Sequence, residues 1–372
     1  MDNVVYMLGA GFSAPLGLPV MSNFIEMSKD LYASDNIMYR HFSKVFDSIR
    51  KRLAYITQFY STDLDNIEEV LSILEMERLA GRVSREETDE YIRFIVDVIQ
   101  HYTPPITGLR KYEQIAKGYY RTTDDRQQQE FEFHVSIIEE QLSQNYIDFI
   151  LQLFHAQLIV RGVGDTNKKG FYREFELHNE IDKNPSVQYS VITLNYDLVL
   201  ENYANYLSSI SQGTELKFTR PRDRRRQHYP YLVKLHGSID NHAIIPPTWN
   251  KTINAQISTE WKMAYKLLSS ANYIRIVGYS LPNNDAYVRY LLKASILKSE
   301  NLKRIDVLCK DDSGIVRERY DSFITLPYPK YRFCNGYVER YLSIVKHYFE
   351  LSHDRFYKEY EEKDKEDIQG KS

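Results

Sequence analysis

Four apolar runs rich in β-branched side chains, Val4–Leu8, Tyr189–Leu194, Tyr231–Leu235 and Tyr273–Val277, each stop at a turn of glycine or small polar residues. Short apolar runs bounded by turn residues read as strands buried on both faces, the condition of a parallel sheet. A fifth run, Arg304–Cys309, follows the same pattern, and helical spacing separates the later runs over Leu198–Leu207, Thr259–Ser270 and Asp285–Leu297. Alternation of this kind predicts an α/β fold, a Rossmann-like doubly wound parallel sheet.

The pattern breaks after the first unit. A helix is expected over Ser22–Tyr32, after which strand-like runs become scarce until Val187. Ile67, Val70, Leu71 and Leu74 fall on one helical face, a second amphipathic stretch covers Glu86–Tyr102, and a third runs from about Gln128 to Val160. Arg161–Gly170 reads as a loop. The expected organisation is therefore residues 1–34 as the first part of the Rossmann-like nucleotide-binding domain and 35–186 as an inserted all-helical domain. Residues 187–335 complete the catalytic domain, and 336–372 form a C-terminal helix with a charged tail.

The turns after the strands carry the chemistry. They are Gly9-Ala10-Gly11-Phe12-Ser13 with Gly17-Leu18-Pro19, then Thr193-Leu194-Asn195-Tyr196-Asp197, then Lys234-Leu235-His236-Gly237-Ser238, then Gly278-Tyr279-Ser280 followed by Asp285. In open α/β sheets ligands sit off the carboxyl ends of the strands, so these strings are expected to face one pocket. Gly9-x-Gly11 lets backbone approach a phosphate. The place where a nicotinamide dehydrogenase carries an acid after its second strand is taken here by helix-forming Phe24–Met27, so any dinucleotide is held in another way. Asn195 can donate to a ribose hydroxyl or hold a water without competing for a proton. Asp197 reads equally well as a helix cap. His236 stands where an imidazole can take a proton near neutral pH, although a lone histidine is also a common structural residue. Asp285 reads as the cap of the next helix or as a ribose ligand.

Composition narrows the classes. A formal net charge of −3 over 372 residues argues against a surface that coats nucleic acid, and the one basic run, Arg220–Arg226, reads as a solvated loop or a contact surface. Two cysteines, Cys309 and Cys334, cannot make a four-cysteine zinc site, so no metal is expected. The first strand begins close to Met1 and no apolar run approaches the ~18 residues of a membrane span, so a soluble cytoplasmic protein is expected.

In their order along the chain, Gly-Ala-Gly-x-Ser with Gly-Leu-Pro, Thr-x-Asn-Tyr-Asp and Leu-His-Gly-Ser resemble the sirtuin-like domain of bacterial anti-phage defence proteins. Gly278–Pro282 and Ile245-Pro246-Pro247-Thr248-Trp249 are similar to strings of that branch. The resemblance implies that Asn195 and His236 are the catalytic pair, that Gly9, Ala10, Gly11 and Ser13 wrap the dinucleotide phosphates, and that Asp197 supports the nicotinamide ribose. Phe12, Gly17, Leu18, Pro19, Thr193, Gly237, Ser238, Gly278, Tyr279, Ser280 and Asp285 complete the expected cofactor-binding set. It implies NAD as substrate, cleaved to nicotinamide and ADP-ribose by an NAD hydrolase that depletes the cofactor during infection.

The chain departs from protein-deacylating sirtuins in lacking the zinc ribbon and in carrying Val20-Met21 where an Asp-Phe-Arg string would stand. NAD-dependent deacylation and a non-catalytic role in binding NAD or ADP-ribose remain as alternatives. An unregulated hydrolase would be toxic to its own cell, so gating is expected through self-assembly into a homo-oligomer or through a partner. The resemblance suggests a HerA-type hexameric ATPase first and a short Argonaute second.

Overall fold

The computed structural model describes residues 1–56, 66–106, 112–114, 141–165, 170–179, 186–213, 215–223, 229–241, 243–244, 255–283, 285–344, 354 and 356–358. The Ile245–Trp249 string, Arg224–Arg226 of the basic run, the start of the third amphipathic stretch and residues 359–372 of the tail lie outside the described residues.

Six strands form one parallel sheet: β1 (Asp2–Leu8), β5 (Val187–Thr193), β7 (Tyr231–Lys234), β10 (Tyr273–Val277), β11 (Arg304–Cys309) and β12 (Tyr331–Asn335). Their order across the sheet is β12-β11-β10-β1-β5-β7. The chain winds outward from β1 through β5 to β7, then returns to the other side of β1 and winds outward again. The doubly wound expectation therefore holds, and the reversal of direction lies between β1 and β10. The register levels the strand ends. Leu8 lies opposite both Val277 and Thr193, Thr193 opposite Lys234, and Val277 opposite Leu308. Each strand thus stops at the same edge, and the turns that follow leave from one line.

Alternating side chains face two cores, as the strand period of two requires. Val4, Tyr6, Leu8, Tyr189, Val191 and Leu232 face one layer. Val5, Met7, Ile192, Val233, Ile274, Ile276, Ile305 and Val307 face the other. The second layer is built from α7 (Ala255–Ser269), α8 (Ala286–Lys298) and α9 (Ile315–Asp321). The first contains α1 (Phe24–Ser34), α6 (Val199–Ile210) and α10 (Val338–Ile344), together with helices of the inserted segment. Those are α2 (Phe42–Ile56), α3 (Ile67–Leu79), α4 (Arg85–Tyr102) and a helix over 141–153, α5. Asn66 starts α3 by accepting the N–H groups of Glu68 and Glu69, and Ser84 starts α4 by accepting that of Glu87. Their apolar stripes bury Ile67, Val70, Leu71 and Leu74 on α3 and Tyr91, Phe94, Ile95 and Val98 on α4.

The segment between β1 and β5 is not all-helical. It also holds β2 (Tyr112–Gln114) and an antiparallel pair, β3 (Ala156–Asp165) with β4 (Gly170–Asn179), so the stretch read as the end of a helix and a loop is a hairpin. The short β6 (Ser211–Gly213) joins this sheet at Phe175–Leu177 of β4. Phe175 and Leu177 are buried while Glu176 between them is not, a period-two pattern that marks a half-buried strand. Two short strands, β8 (Gly237–Ser238) and β9 (Ala243–Ile244), pair just beyond β7.

Three charged residues form a row across one side of the sheet. Arg275, Asp306 and Arg332 stand side by side on β10, β11 and β12, all at least nine-tenths buried. Arg332 Nε lies 2.6 Å from Asp306 Oδ1, and the Arg332 guanidinium sits 4.3 Å from the centre of the Tyr357 ring. Tyr357, near the end of the described chain, is buried there with Phe356, whose ring packs edge-on against Tyr341. Among the described residues, no helix is long and apolar enough to cross a membrane.

Candidate active site

A cavity of 640 Å³ opens at the carboxyl edge of the parallel sheet, at the point where the winding reverses. Its floor is the junction of two glycine turns. Gly9 donates its N–H to Val277 O at 3.1 Å, and Gly11 donates to Gly278 O at 2.9 Å. Gly278 has φ +67°, and a Cβ built there would lie 2.3 Å from Phe12 N. A Cβ on Gly9 would lie 2.6 Å from Gly278 O. These contacts are shorter than any side chain tolerates, so glycine is required for the two loops to interlock. The N–H groups of Gly9, Gly11, Phe12 and Ser13 are all bonded to backbone carbonyls. The glycines therefore serve the interlock more directly than they free N–H groups for a phosphate.

The Asn/Asp turn after β5 is locked onto this floor. Thr193 Oγ1 accepts the Asn195 backbone N–H at 3.0 Å. The Asn195 Nδ2 donates to Gly9 O at 3.0 Å and to Ser13 Oγ at 3.2 Å. Both amide hydrogens are thus committed to protein acceptors, and the amide carbonyl is the end left for a ligand. Asp197 accepts the Val199 N–H at 3.0 Å and so supports the start of α6, as a cap would, while also lining the cavity. Burial pushes the Asp197 carboxyl above the ordinary carboxylate range, against the opposing pull of Lys234, the Val199 N–H and the Ser13 hydroxyl. Lys234 is itself buried, its Nζ bonded to Asp197 O at 2.5 Å and to Ser238 Oγ at 3.0 Å.

His236 is 2% exposed and stands at the end of β7 with its Nε2 3.4 Å from Asp285 Oδ2. The Tyr279 hydroxyl donates to the same carboxylate oxygen at 2.5 Å. The Tyr196 ring lies edge-on to His236, with centroids 6.3 Å apart, and its hydroxyl donates to Glu68 Oε1 at 2.9 Å. Burial holds the Tyr196 and Tyr279 phenols well above their usual range, and the neighbouring Glu68 and Asp285 charges add to this. His236 Nδ1 is buried and has no hydrogen-bond partner among the described residues.

The expected residues are largely brought together. Gly9, Ala10, Gly11, Ser13, Leu18, Pro19, Asn195, Asp197, His236, Gly278, Tyr279, Ser280 and Asp285 all line the cavity. Phe12, Gly17, Thr193, Gly237 and Ser238 are not among its lining residues. Phe12 points into the core against Tyr146 and Phe149, Gly17 ends a short turn at φ +91°, and Thr193 and Ser238 support Asn195 and Lys234.

The sequence reading missed Glu68 and Tyr196 on one wall and Lys310, Asp312, Tyr337 and Glu339 on the other. The second group follows β11 and β12, so the strand-end rule that located the other turns could have found it. Glu68 sits on α3, and no local signal marks it. Among the described residues, no cluster of three His, Cys, Asp or Glu side chains is placed to hold a metal ion.

Residues 189–326 match the model of the SIR2-like domain. Among solved structures, the chain is similar to Sir2Tm bound to a propionylated peptide, at 12% identity and a TM-score of 0.35, covering 92% of this chain and 91% of that one. It is also similar to a Sir2 structure with a p53 peptide and NAD+, at 10% identity and a TM-score of 0.37, with 92% and 91% covered. No curated relative matches. Asn195 and His236 both fall inside the region that matches the SIR2-like domain model, and both line the cavity.

Proposed function

We propose that the cavity binds NAD and that the protein hydrolyses its nicotinamide–ribose bond, releasing nicotinamide and ADP-ribose. The observation that carries this reading is the meeting of Asn195 and His236 in one cavity at the switch point of a doubly wound sheet. The pyrophosphate would cross the Gly9–Ser13 turn, which lines the cavity. The adenosine half would lie toward β11 and β12, over Lys310 and Tyr337.

Nicotinamide leaves as a neutral molecule from a cationic ring nitrogen, so no acid is required to protonate it. As the C–N bond loosens, the ribose gains oxocarbenium character, as in other glycosidic cleavages. The Asn195 carbonyl orients the attacking water or a ribose hydroxyl. His236 accepts the proton.

The test is nicotinamide release by pure protein supplied with NAD. His236→Ala and Asn195→Ala should each lower the rate about 10²–10⁴-fold, the range for a general base or positioning group. Equal release by wild type and His236→Ala overturns the role given to His236. A peptide arm separates deacylation from hydrolysis, because a deacylase consumes NAD only when acyl-lysine is present. The motif resemblance supports a role as an NAD-depleting effector of anti-phage defence, gated by self-assembly or by a partner such as a HerA-type ATPase. Co-purification with products of neighbouring genes, and release assays with and without them, test the gating. A monomer equally active in every mixture removes it.

A further inference from the structure

We infer that Asp285 is the positioning residue that fixes the tautomer of His236 and stabilises its protonated form, so that Nδ1 is the atom that takes the proton. This deepens the hydrolase reading and rests on it for the identity of the proton donor. Asp285 immediately precedes α8, where a carboxylate would ordinarily cap the helix, yet its side chain makes no capping bond. It turns inward instead, 2% exposed, with Oδ2 at 2.5 Å from the Tyr279 hydroxyl and 3.4 Å from His236 Nε2. A buried carboxylate is held in place only by donors, and an imidazole facing it must present N–H.

In a neutral imidazole one nitrogen carries the proton and the other a lone pair, and the hydrogen bond made by one decides the state of the other. With Nε2–H turned to Asp285, the lone pair falls on Nδ1. That atom is buried and has no hydrogen-bond partner among the described residues, in a side chain that lines the cavity. The 3.4 Å separation is longer than a closed bond, as is common in sites without substrate. The other titratable groups acting on the pair include Tyr279, Tyr320, Tyr196 and Glu68. Tyr279 donates to Asp285, Tyr196 to Glu68 and Tyr320 to Tyr279 O, and Asp285 is the carboxylate that faces the imidazole.

The step balances without a further reactant. The C–N bond breaks and its electron pair leaves with nicotinamide. The oxygen of water bonds to the ribose carbon and its proton passes to Nδ1. The resulting imidazolium sits beside the Asp285 carboxylate until it releases the proton to solvent.

The experiment compares Asp285→Asn, which keeps an acceptor but removes the charge, with Asp285→Ala, which removes both, each alone and combined with His236→Ala. Turnover of Asp285→Asn should fall about 10–10²-fold, with KM for NAD within about 3-fold of wild type and a changed pH–rate profile. Asp285→Ala should fall further. Neither change should lower the rate of His236→Ala beyond its own loss, because positioning has no effect once the positioned group is gone. Multiplied losses in the double variants, or a KM that rises while kcat holds, would make Asp285 a ribose ligand and overturn the inference.

Nitrogen NMR of the His236 ring, assigned by its disappearance in His236→Ala, needs no turnover and no variant at Asp285. Wild type should show the Nε2–H tautomer, and an Nδ1–H tautomer overturns the inference. Absence of nicotinamide release in every partner mixture, with the Nε2–H tautomer present, defeats the hydrolase reading and leaves the pairing standing.

Discussion

Replacing Gly278 with alanine tests the interlock that forms the cavity floor. The residue sits at φ +67°, where an L side chain costs about 1–2 kcal/mol. The new Cβ would lie 2.3 Å from Phe12 N and 2.5 Å from Gly11 C, both backbone atoms that no rotamer change can move. Relief demands that the β1 and β10 turns separate, an overpacking cost of about 1–3 kcal/mol. Separation also strains the 2.9 Å bond from Gly11 N to Gly278 O, worth about 1 kcal/mol. The total is about 3–6 kcal/mol, large against the ~5–15 kcal/mol stability of an ordinary protein.

Gly17 is the control. It too has positive φ, at +91°, but nothing lies within 4 Å of its added Cβ, so Gly17→Ala should cost only about 1–2 kcal/mol. Urea unfolding of both variants measures the difference, with the slope expected to stay unchanged. Calorimetric titration with ADP-ribose measures the site. Gly278→Ala should weaken binding by at least ~10-fold, about 1.4 kcal/mol, and Gly17→Ala by less than ~3-fold. Equal urea midpoints for the two variants, or wild-type ADP-ribose affinity in Gly278→Ala, would refute the reasoning.

Alkaline pH should unfold the protein. Burial holds the phenols of Tyr91, Tyr146, Tyr196, Tyr279, Tyr320, Tyr341 and Tyr357 well above their usual range. The folded chain therefore keeps protons that the unfolded chain sheds near pH ~10, so stability is intact below that value and falls above it, by up to ~1.4 kcal/mol per pH unit for each tyrosine. Urea midpoints at rising pH check this, and a midpoint level through pH ~11 contradicts it. Phe356→Ala should cost about 3–5 kcal/mol, since the ring is fully buried between Tyr341 and Tyr357, and thermal or urea unfolding reads the loss. A change under ~1 kcal/mol would mean that this end of the chain does not dock.

The parallel sheet was legible because its strands are buried on both faces and so carry continuous apolar runs. Tyr273–Val277 and Arg304–Cys309 were placed to the residue. The site was legible for the same reason, since a level register turns strand ends into one line. β12 was missed because Arg332 breaks the continuous apolar run expected of a strand buried on both faces, its guanidinium being buried against Asp306 where an apolar residue would have signalled a strand. The β3–β4 hairpin was missed because the glycines of Arg-Gly-Val-Gly-Asp read as a loop, while ten paired positions hold them in a ladder. Asp285 was read as a cap or a ribose ligand, because its place in sequence is a cap's place at a strand-end turn. Only the fold shows that its carboxylate turns inward. Glu68 reaches the cavity because α3 packs against the sheet, a contact between segments that residue spacing does not encode.

The turn beneath the candidate pyrophosphate path is gripped from behind by a helix that interrupts the nucleotide-binding unit. Tyr146 on α5 donates to the Phe12 carbonyl at 2.5 Å, and the Phe12 ring lodges between Tyr146 and Phe149. On that side the loop is held by α5. Any force that shifts α5 pulls on the loop's backbone, and through Asn195, which hangs on Gly9 and Ser13, it reaches the reactive end of the pocket. The inserted segment is mechanically a lever whose short arm ends at Asn195.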